Sequence, residues 1–153
     1  MVLESTSLLP HINAGVMSLS ELAKLKEVSV SQGLMLESIS NRLLKKGSAH
    51  YGSPDKVPEV RLEMINQAGK LKIPFTSGIL IGIGENRLER VEALLALRGL
   101  QEKYGHIQEI IIQNFKAKPR TPMQFHPEPE LEEILWTIAI ARILFGPEMN
   151  IQT

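Results

Sequence analysis

The segment from Thr76 to Glu85 constrains the fold more than any other part of this 153-residue chain. It is an uncharged apolar run of strand length that ends at Gly82 and Gly84, a pattern typical of a buried central parallel strand. Asn86 follows as an N-cap residue, and Glu89 stands three positions later as its capping-box partner. The segment therefore predicts a strand, a glycine turn and a helix in direct succession.

The rest of the sequence alternates in the same way between strands and helices. Further strands are predicted over residues 8–15, 28–37, 109–115 and 149–152. Helices are predicted from the Ser18 cap onward, over 58–70 and 87–104, and from Pro129 to the Gly146-Pro147 pair. Residues 41–56 are polar and rich in turn formers, which indicates a long loop with a short helical piece near Leu43.

The helices over 58–70 and 87–104 and the helix from Pro129 each carry an apolar stripe at helical spacing, which predicts one face packed on the sheet. In the helix over 87–104 this stripe is predicted to be Leu88, Val91, Leu94 and Leu95. In the last helix it is predicted to be Leu131, Ile134, Leu135 and Ile138.

Strict alternation implies a parallel sheet with right-handed crossover connections. A doubly wound sheet and a (β/α) barrel both have this order of elements. Two features favour the barrel, because polar residues gather after each strand and the chain begins and ends within strands. Since about 250 residues are typical of eight β/α units, we expect one α/β domain over residues 1–153, a partial (β/α) barrel truncated at both ends.

Composition narrows the range of partners. Equal numbers of basic and acidic residues, 17 of each, give no net charge, and no basic stripe is interleaved with aromatic residues. We therefore expect small molecules or protein partners, with no nucleic acid and no membrane. No apolar run approaches the roughly 20 residues of a membrane span and no secretion signal is present, so a cytoplasmic location is expected. The absence of cysteine predicts no disulfide and no ligand for an iron-sulfur cluster.

Polar side chains stand at the predicted carboxyl ends of the strands, where ligands bind in α/β folds. Glu37 and Glu85 are carboxylates that can accept hydrogen bonds from hydroxyl or ammonium groups of a ligand. His50 and Asp55 belong to the long loop, and Asn114 ends a strand. These residues are therefore candidates for a site at the mouth of the sheet.

Each candidate also has a structural interpretation. A lone carboxylate after a strand is commonly a helix cap or a salt-bridge partner, and a histidine such as His11 or His50 can be satisfied within the fold while still being able to face a site. The glycine turn suits a dinucleotide-binding loop, but Arg87 stands where the third glycine belongs. The four histidines lack the spacing of metal ligands, so no metal site is predicted. Residue types alone identify no catalytic residue.

Five segments taken together carry a family resemblance. They are residues 8–18, 33–38, 50–56, 73–85 and 113–119. As a set they resemble the radical S-adenosylmethionine enzymes, and within them the enzymes that form a deazaflavin chromophore. The resemblance implies that this chain corresponds to roughly strands three to seven of that family's barrel.

The resemblance also implies a reaction and its cofactors. In the family, a 4Fe-4S cluster reduces S-adenosylmethionine to methionine and a 5′-deoxyadenosyl radical. That radical abstracts hydrogen from the tyrosine-derived adduct of a ribitylamino-uracil, and ring closure with loss of ammonia follows. The expected substrate of this chain is therefore a small molecule.

Site roles follow from the same resemblance. Glu37 is expected to hydrogen-bond the ribose of S-adenosylmethionine, and Leu80 is expected to lie against its adenine. The remaining cofactor-side residues are expected to be Gly82 and Gly84, whose backbone can approach the nucleoside closely, and Glu85. On the substrate side the expected residues are His50, Asp55 and Asn114.

The chain departs from the family pattern in three places. The family's three-cysteine cluster loop has no counterpart here, Arg120 stands where glycine is usual, and Thr6-Ser7 stands where the family has Thr-Gly. We therefore expect this chain alone to be inactive. The alternatives are a sibling enzyme, either the menaquinone-pathway radical cyclase or the enzyme that joins tyrosine to the uracil, and a non-catalytic half-barrel. Such a half-barrel would bind a nucleoside or dock onto a partner subunit or the missing barrel half.

Overall fold

A computed structural model describes residues 2–153, which form one parallel five-stranded sheet with helices packed on one face. The strands are β1 (His11–Ile12), β2 (Ser31–Gly33), β3 (Phe75–Ile81), β4 (Ile107–Asn114) and β5 (Asn150–Gln152). The helices are α1 (Val2–Ser5), α2 (Leu19–Lys26), α3 (Pro58–Lys70), α4 (Arg87–Tyr104) and α5 (Leu131–Phe145). Each strand pairs in parallel with the next one in sequence, which is the strand order of a barrel wall and confirms the α/β prediction.

The central strand β3 separates a covered face from an open one. Phe75, Ile79 and Ile81 are at most 1% exposed and belong to the core under the helices. The alternate residues Thr76 and Leu80 are only half-buried. Because successive side chains of a strand point to opposite faces, the second set lies on the open face, which corresponds to the interior of a complete barrel.

The helix boundaries follow the predicted capping signals. Asn86 and Glu89 form the predicted capping box at the start of α4. Gly105, at φ 63°, ends the same helix in the left-handed conformation that favours glycine. Within the described residues, no helix is both long and apolar enough to cross a bilayer.

The prediction of a continuous strand over 28–37 was wrong. The chain leaves the ladder after Gly33 and pairs with β3 again only at Glu37, which forms an isolated bridge with Ile79. There the Glu37 amide donates to the Gly78 carbonyl at 3.0 Å and the Glu37 carbonyl accepts from the Leu80 amide at 2.9 Å. Glu37 itself has φ 63°, so the backbone turns away from the sheet at this residue and the strand cannot continue.

The predicted inward faces of the last two helices were partly wrong. Leu94 of α4 is buried as predicted, but Leu88 is 64% exposed and Arg90 is buried in its place. The charged residue faces inward because it has buried ionic partners, described below. Helix α5 begins at Leu131, two residues later than predicted, because Glu130 is still extended at ψ 156°; Leu131, predicted to face inward, is 68% exposed.

Arg120 adopts a left-handed backbone conformation, with φ 64°. For residues other than glycine this conformation is unfavourable by roughly 1–2 kcal/mol. The glycine expected from the resemblance at this position is therefore explained by backbone geometry. The arginine keeps the same turn at an energetic cost, and its amide donates to the Gln124 side chain at 3.2 Å.

His106 is buried at the amino end of β4, far along the strand from the predicted site. Its Nε2 donates to the Ile65 carbonyl at 3.0 Å, and its ring packs between Phe75 and Tyr104. Among residues 2–153 its Nδ1 has no hydrogen-bond partner. Burial lowers the pKa of His106 below its ordinary value of 6.5, because the charged form loses its hydration.

We predict that this histidine makes stability depend on pH in the neutral range. Below pH 6.5 the unfolded chain binds a proton that the folded chain resists, so stability is present above this pH and is lost as the pH falls toward the lower folded pKa. Urea unfolding of the wild type should show this loss between roughly pH 7 and 5, with a slope of at most about 1.4 kcal/mol per pH unit. His106→Gln should flatten the dependence, and an unchanged slope in that variant would contradict the assignment.

Candidate functional site

The candidate site lies at the carboxyl ends of β2 and β3, where residues 34–57 fold over the sheet. Glu37 is fixed there by its backbone pairing with β3. Its carboxylate contacts three basic side chains: His50 Nε2 at 3.0 Å, Arg61 at 3.3 Å and Lys56 at close range. The Glu37 side chain is only 14% exposed, so this ionic cluster is largely shielded from water.

The Glu37 carboxyl is held ionised by its neighbours. Burial raises the pKa of the group, but hydrogen bonds from His50 and Lys56 and the charges of Arg61 and Lys56 outweigh that effect and lower the pKa to about 2. At neutral pH the carboxylate therefore accepts hydrogen bonds and cannot donate them. Two carboxylate oxygens offer about four acceptor positions, so the three basic partners leave room for a further donor such as a ligand hydroxyl.

Arg61 organises the loop around Glu37. It lies on α3 and its side chain is 5% exposed. Its Nε donates to the Asp55 carbonyl at 2.7 Å, one terminal nitrogen contacts the Asp55 carboxylate at 3.5 Å, and the other donates to the Met35 carbonyl. One buried guanidinium thus connects the strand end, the 53–57 loop and α3.

His50 and Asp55 therefore lie in the same cluster as Glu37. His50 is 5% exposed and bonds directly to the Glu37 carboxylate. Asp55 is connected to it through Arg61, and its own side chain is 55% exposed. The sequence placed Glu37 on the cofactor side and the other two on the substrate side, but the fold makes them one interacting unit. The roles of Glu37, His50 and Asp55 in binding a ligand stay predictions.

The side chain of Glu85 folds back onto the glycine turn that precedes it, residues 82–84. Its two carboxylate oxygens accept from the backbone amides of Gly82 and Ile83, both at 2.8 Å, and one of them also accepts from Arg90 Nε at 2.7 Å. The side chain is 2% exposed. The carboxylate thus shapes the turn from within and does not extend into the open mouth, so any role toward a ligand acts through the turn.

The two glycines of the turn have different surroundings. Gly82, at φ 89°, lies against the ring of Pro129, and a Cβ there would be 2.5 Å from the proline Cδ. Gly84, at φ 107°, faces only Leu43 at an ordinary contact distance of 3.7 Å. Close approach of a nucleoside, expected at both glycines, therefore has free space at Gly84 only, because Pro129 fills the space at Gly82.

A second ionic cluster ties the 40–44 turn to this glycine turn. Glu89 accepts from Ser40 Oγ at 2.5 Å and from two nitrogens of Arg42 at 3.1 Å and 2.7 Å. Arg42 also donates to the Gly84 carbonyl at 2.9 Å. The hydrogen bond from Arg42 is the main reason why the pKa of Glu89 is lowered to about 2. Glu89, which caps α4, therefore also holds the 40–44 turn in place.

The open face of the sheet carries two partly exposed side chains beside the candidate site. Leu80 lies on this face, and Gln113 is its register partner on β4. Gly78 between Thr76 and Leu80 is buried, and a Cβ there would be 2.0 Å from the Ile111 carbonyl oxygen, so the backbone of β4 fills that space. By strand alternation Asn114 shares the covered face with Ile112, so Gln113 is the side chain of this strand end that faces the mouth.

A cleft of ≈ 920 Å³ continues from the glycine turn between the loops 42–51 and 115–127. Ile83 and Gly84 form one end of it, while Tyr51, Lys116 and the 91% exposed Phe125 lie along its walls. The cleft leaves the site open to solvent on this side.

Three residues that build the site were missed by the sequence analysis: Arg61, Arg90 and Gln113. The first two carry a signal in the sequence, because each occupies a position of an apolar helical stripe. Arg61 precedes Ile65 and Ala68 at intervals of four and seven residues, and Arg90 stands in the same relation to Leu94 and Leu97. A basic residue in such a stripe indicates a buried ionic partner.

The described residues do not fit an iron-sulfur cluster. The chain has no cysteine, and residues 2–153 contain no group of three or more side chains suited to a metal ion. The site can instead accept hydroxyl groups, because the ionised Glu37 carboxylate adjoins the half-buried Leu80 on the open face of β3.

We predict that the two glycines of the turn differ in their tolerance of alanine. Both substitutions place a side chain at positive φ, but only Gly82→Ala also overlaps Pro129. Overpacking of this kind adds about 1–3 kcal/mol. Urea unfolding should therefore show Gly82→Ala to be less stable than the matched variant Gly84→Ala by that amount, and equal losses would show that the Pro129 contact is not rigid.

No family model matches the sequence. Curated proteins, by contrast, match the sequence over nearly its whole length. The chain is 55% identical over 152 residues to "FO synthase" of Mycobacterium tuberculosis (strain CDC 1551 / Oshkosh), covering 99% of this chain and 18% of the relative. It is 56% identical over 145 residues to the "7,8-didemethyl-8-hydroxy-5-deazariboflavin synthase" of Methanothermobacter thermautotrophicus, covering 95% of this chain and 44% of the relative. The chain thus spans less than half the length of these relatives.

Solved structures share the fold at low sequence identity. Methylornithine synthase matches with a TM-score of 0.76 and 20% identity, over 98% of this chain and 42% of its own. The [FeFe]-hydrogenase maturase HydG from Carboxydothermus hydrogenoformans matches with a TM-score of 0.77 and 18% identity, over 98% of this chain and 35% of its own. The chain therefore has the fold of one part of these larger proteins, and over nearly its whole length it is a homologue of one segment of FO synthase.

Proposed function

We propose that this chain supplies the nucleoside-binding wall of a deazaflavin-forming synthase and that its ligand is S-adenosylmethionine. The observation that carries the proposal is the ionised Glu37 carboxylate, fixed by its bridge to Ile79 at the mouth of β3 and close to the half-buried Leu80 of the open face. An acceptor next to an apolar side chain suits a ribose joined to a flat base.

In this proposal Glu37 accepts hydrogen bonds from ribose hydroxyls and Leu80 packs against the adenine. Gly84 gives the backbone room to approach the nucleoside, while Glu85 keeps the turn in shape from below. When bound, S-adenosylmethionine supplies the group that abstracts hydrogen from the substrate.

We propose that the substrate-binding side of the site begins at the Glu37 cluster. His50 belongs to this side through its contact with Glu37, and Asp55 belongs to it through its contact with Arg61. We add Gln113 to the expected Asn114, because Gln113 faces the mouth. The substrate proposed for the longer relatives' reaction is the tyrosine adduct of ribitylamino-uracil. Identity of 51–56% to the FO synthases supports this choice over a sibling enzyme of the menaquinone or deazaflavin pathways.

We predict that Glu37→Gln weakens S-adenosylmethionine binding at least about tenfold, because a neutral amide is a poorer acceptor than a carboxylate for ribose hydroxyls. Calorimetric titration would measure the affinity. Glu63→Ala is the matched control, since Glu63 is a carboxylate on the exposed surface of α3 and is 55% exposed. Removing Glu37 leaves its basic partners unpaired, so the melting temperature of each variant should be recorded alongside.

An unchanged affinity in a folded Glu37→Gln variant would remove this residue from the site. Loss of binding in both variants would indicate a global defect and would contradict the local role proposed for Glu37.

We also predict that this chain alone holds no iron-sulfur cluster and has no synthase activity. Such clusters are held by cysteine thiolates, and the chain has none. Iron and sulfide should remain far below one cluster per chain after anaerobic reconstitution and desalting. One cluster per chain would overturn the prediction.

We further propose that the sheet edges are covered by a partner, either the missing barrel half or another subunit. Strands β1 and β5 expose unpaired edges, and Leu9 beside β1 is 73% exposed. Open edges with apolar neighbours associate in water.

Light scattering of the purified chain should therefore show association that rises with concentration. Leu9→Lys should reduce it, whereas Leu88→Lys should not, because Leu88 is 64% exposed on α4, away from the edge. A monomer at every concentration would contradict the proposal.

A further inference from the structure

A polar cluster on the open face lies outside the residues assigned so far. His11 of β1 contacts Ser31 of β2 through Nδ1 at 2.8 Å, and its Nε2 contacts Asn13 Oδ1 at 3.3 Å. Asn13 and His11 stand directly over Gly33, where a Cβ would be 2.3 Å from Asn13 Oδ1 and 3.0 Å from His11 Nε2. The lack of a side chain at Gly33 is therefore what allows these side chains to lie across the sheet.

This cluster faces the same space as Glu37. A pocket of ≈ 200 Å³ is lined by residues of both groups, among them Asn13, Gly33, Thr76, Glu37 and Arg61. Gln32, which precedes Gly33, is buried on the opposite face and donates to the Leu22 carbonyl at 3.2 Å. The alternation of β2 thus confirms that the cluster lies on the open face.

The direction of the hydrogen bonds follows from the groups that are present. The Asn13 Oδ1 atom can only accept, so His11 Nε2 carries the hydrogen and donates to it. In a neutral imidazole the other nitrogen then accepts, so the Ser31 hydroxyl donates to His11 Nδ1. Ser31 and His11 together fix the oxygen of the Asn13 amide toward the imidazole.

The fixed amide has a chemical consequence for the pocket. With its oxygen held by His11, the exposed Asn13 side chain, which lines the pocket, has its Nδ2 group left as a donor. A group with two N–H donors selects an acceptor, and a ring carbonyl oxygen satisfies it without adding charge beside the Glu37 cluster.

Building on the nucleoside-binding function above, we propose that Asn13, oriented by His11 and Ser31, is a substrate-positioning residue that binds a ring carbonyl of the uracil-type substrate. The Asn13 amide then binds the carbonyl of the ring beside the Glu37 cluster, which is proposed to hold the nucleoside.

The test measures binding of two ligands by calorimetry, S-adenosylmethionine and ribitylamino-uracil, with free tyrosine as a third arm. Asn13→Asp should reduce ribitylamino-uracil affinity at least about tenfold, because a carboxylate oxygen repels the carbonyl that the amide binds. The same variant should leave S-adenosylmethionine affinity unchanged. His11→Phe removes the hydrogen bond that orients the amide but keeps Asn13. It should therefore reduce ribitylamino-uracil affinity less than Asn13→Asp does.

A spectroscopic measurement without ligand tests the two hydrogen bonds of His11, from Ser31 and to Asn13. Nitrogen NMR of His11 should show the hydrogen on Nε2 at neutral pH, and Ser31→Ala should shift the Nδ1 signal. A hydrogen on Nδ1 in the wild type would overturn the assigned direction.

The outcomes separate this inference from the function on which it rests. If the wild type binds both ligands but Asn13→Asp does not weaken ribitylamino-uracil, the positioning role is wrong and the nucleoside site stands. If Asn13→Asp weakens tyrosine in place of ribitylamino-uracil, the carbonyl assignment is wrong. If the wild type binds neither S-adenosylmethionine nor ribitylamino-uracil, the proposed function fails and this inference fails with it.

Discussion

The pairing of Glu37 with Arg61 is the constraint on which the mouth of this sheet depends. Both side chains are shielded from water, and removing either would take one partner from a largely buried charge, which is destabilising. Arg61 is held by α3, whereas Glu37 is held by β3 through its own backbone. The pair therefore fixes the distance between a helix and a strand end, and the loop between them must fold around it.

A buried ion pair between an arginine and a glutamate also lies at the end of β3. Arg90 of α4 is buried against Glu85 at 2.7 Å and against Glu133 of α5 at 2.6 Å. Arg42 reaches from the preceding loop to Glu89. Arginines thus hold each strand end to its own helix, and Arg42 and Arg90 also join one β/α unit to the next. A surface built in this way is preorganised, so a ligand does not have to order the loops when it binds.

Much of the fold could be predicted from local sequence because its signals are local. The bounds of α3 and α4 followed from Pro58, Asn86, Glu89 and Gly105, which act within one helical turn. The strand over 28–37 was overestimated because its pairing with β3 stops at Gly33 and returns only at Glu37, and pairing with residues about forty positions away in sequence leaves no local signal.

The site was predictable in its residues but less so in its geometry. Glu37 and His50 were recognised separately, yet their direct contact depends on how the long loop folds. Arg61 was missed because apolar patterning treats a charged residue as exposed. Asn114 was expected at the site from the family resemblance, whereas the alternation of β4 places Gln113 toward the mouth.

The inward-turned carboxylate of Glu85 also changes what the glycine turn offers to an anion. Glycine turns that open a helix can bind phosphate, because their free amides and the helix terminus attract anions. Here the amides of Gly82 and Ile83 are already bonded to Glu85, and the start of α4 is occupied by Asn86 and Glu89. Both carboxylates are in turn neutralised by arginines, Glu85 by Arg90 and Glu89 by Arg42. The turn thus has the glycines of a phosphate-binding loop without its free donors, because the chain's own carboxylates already fill the anion site.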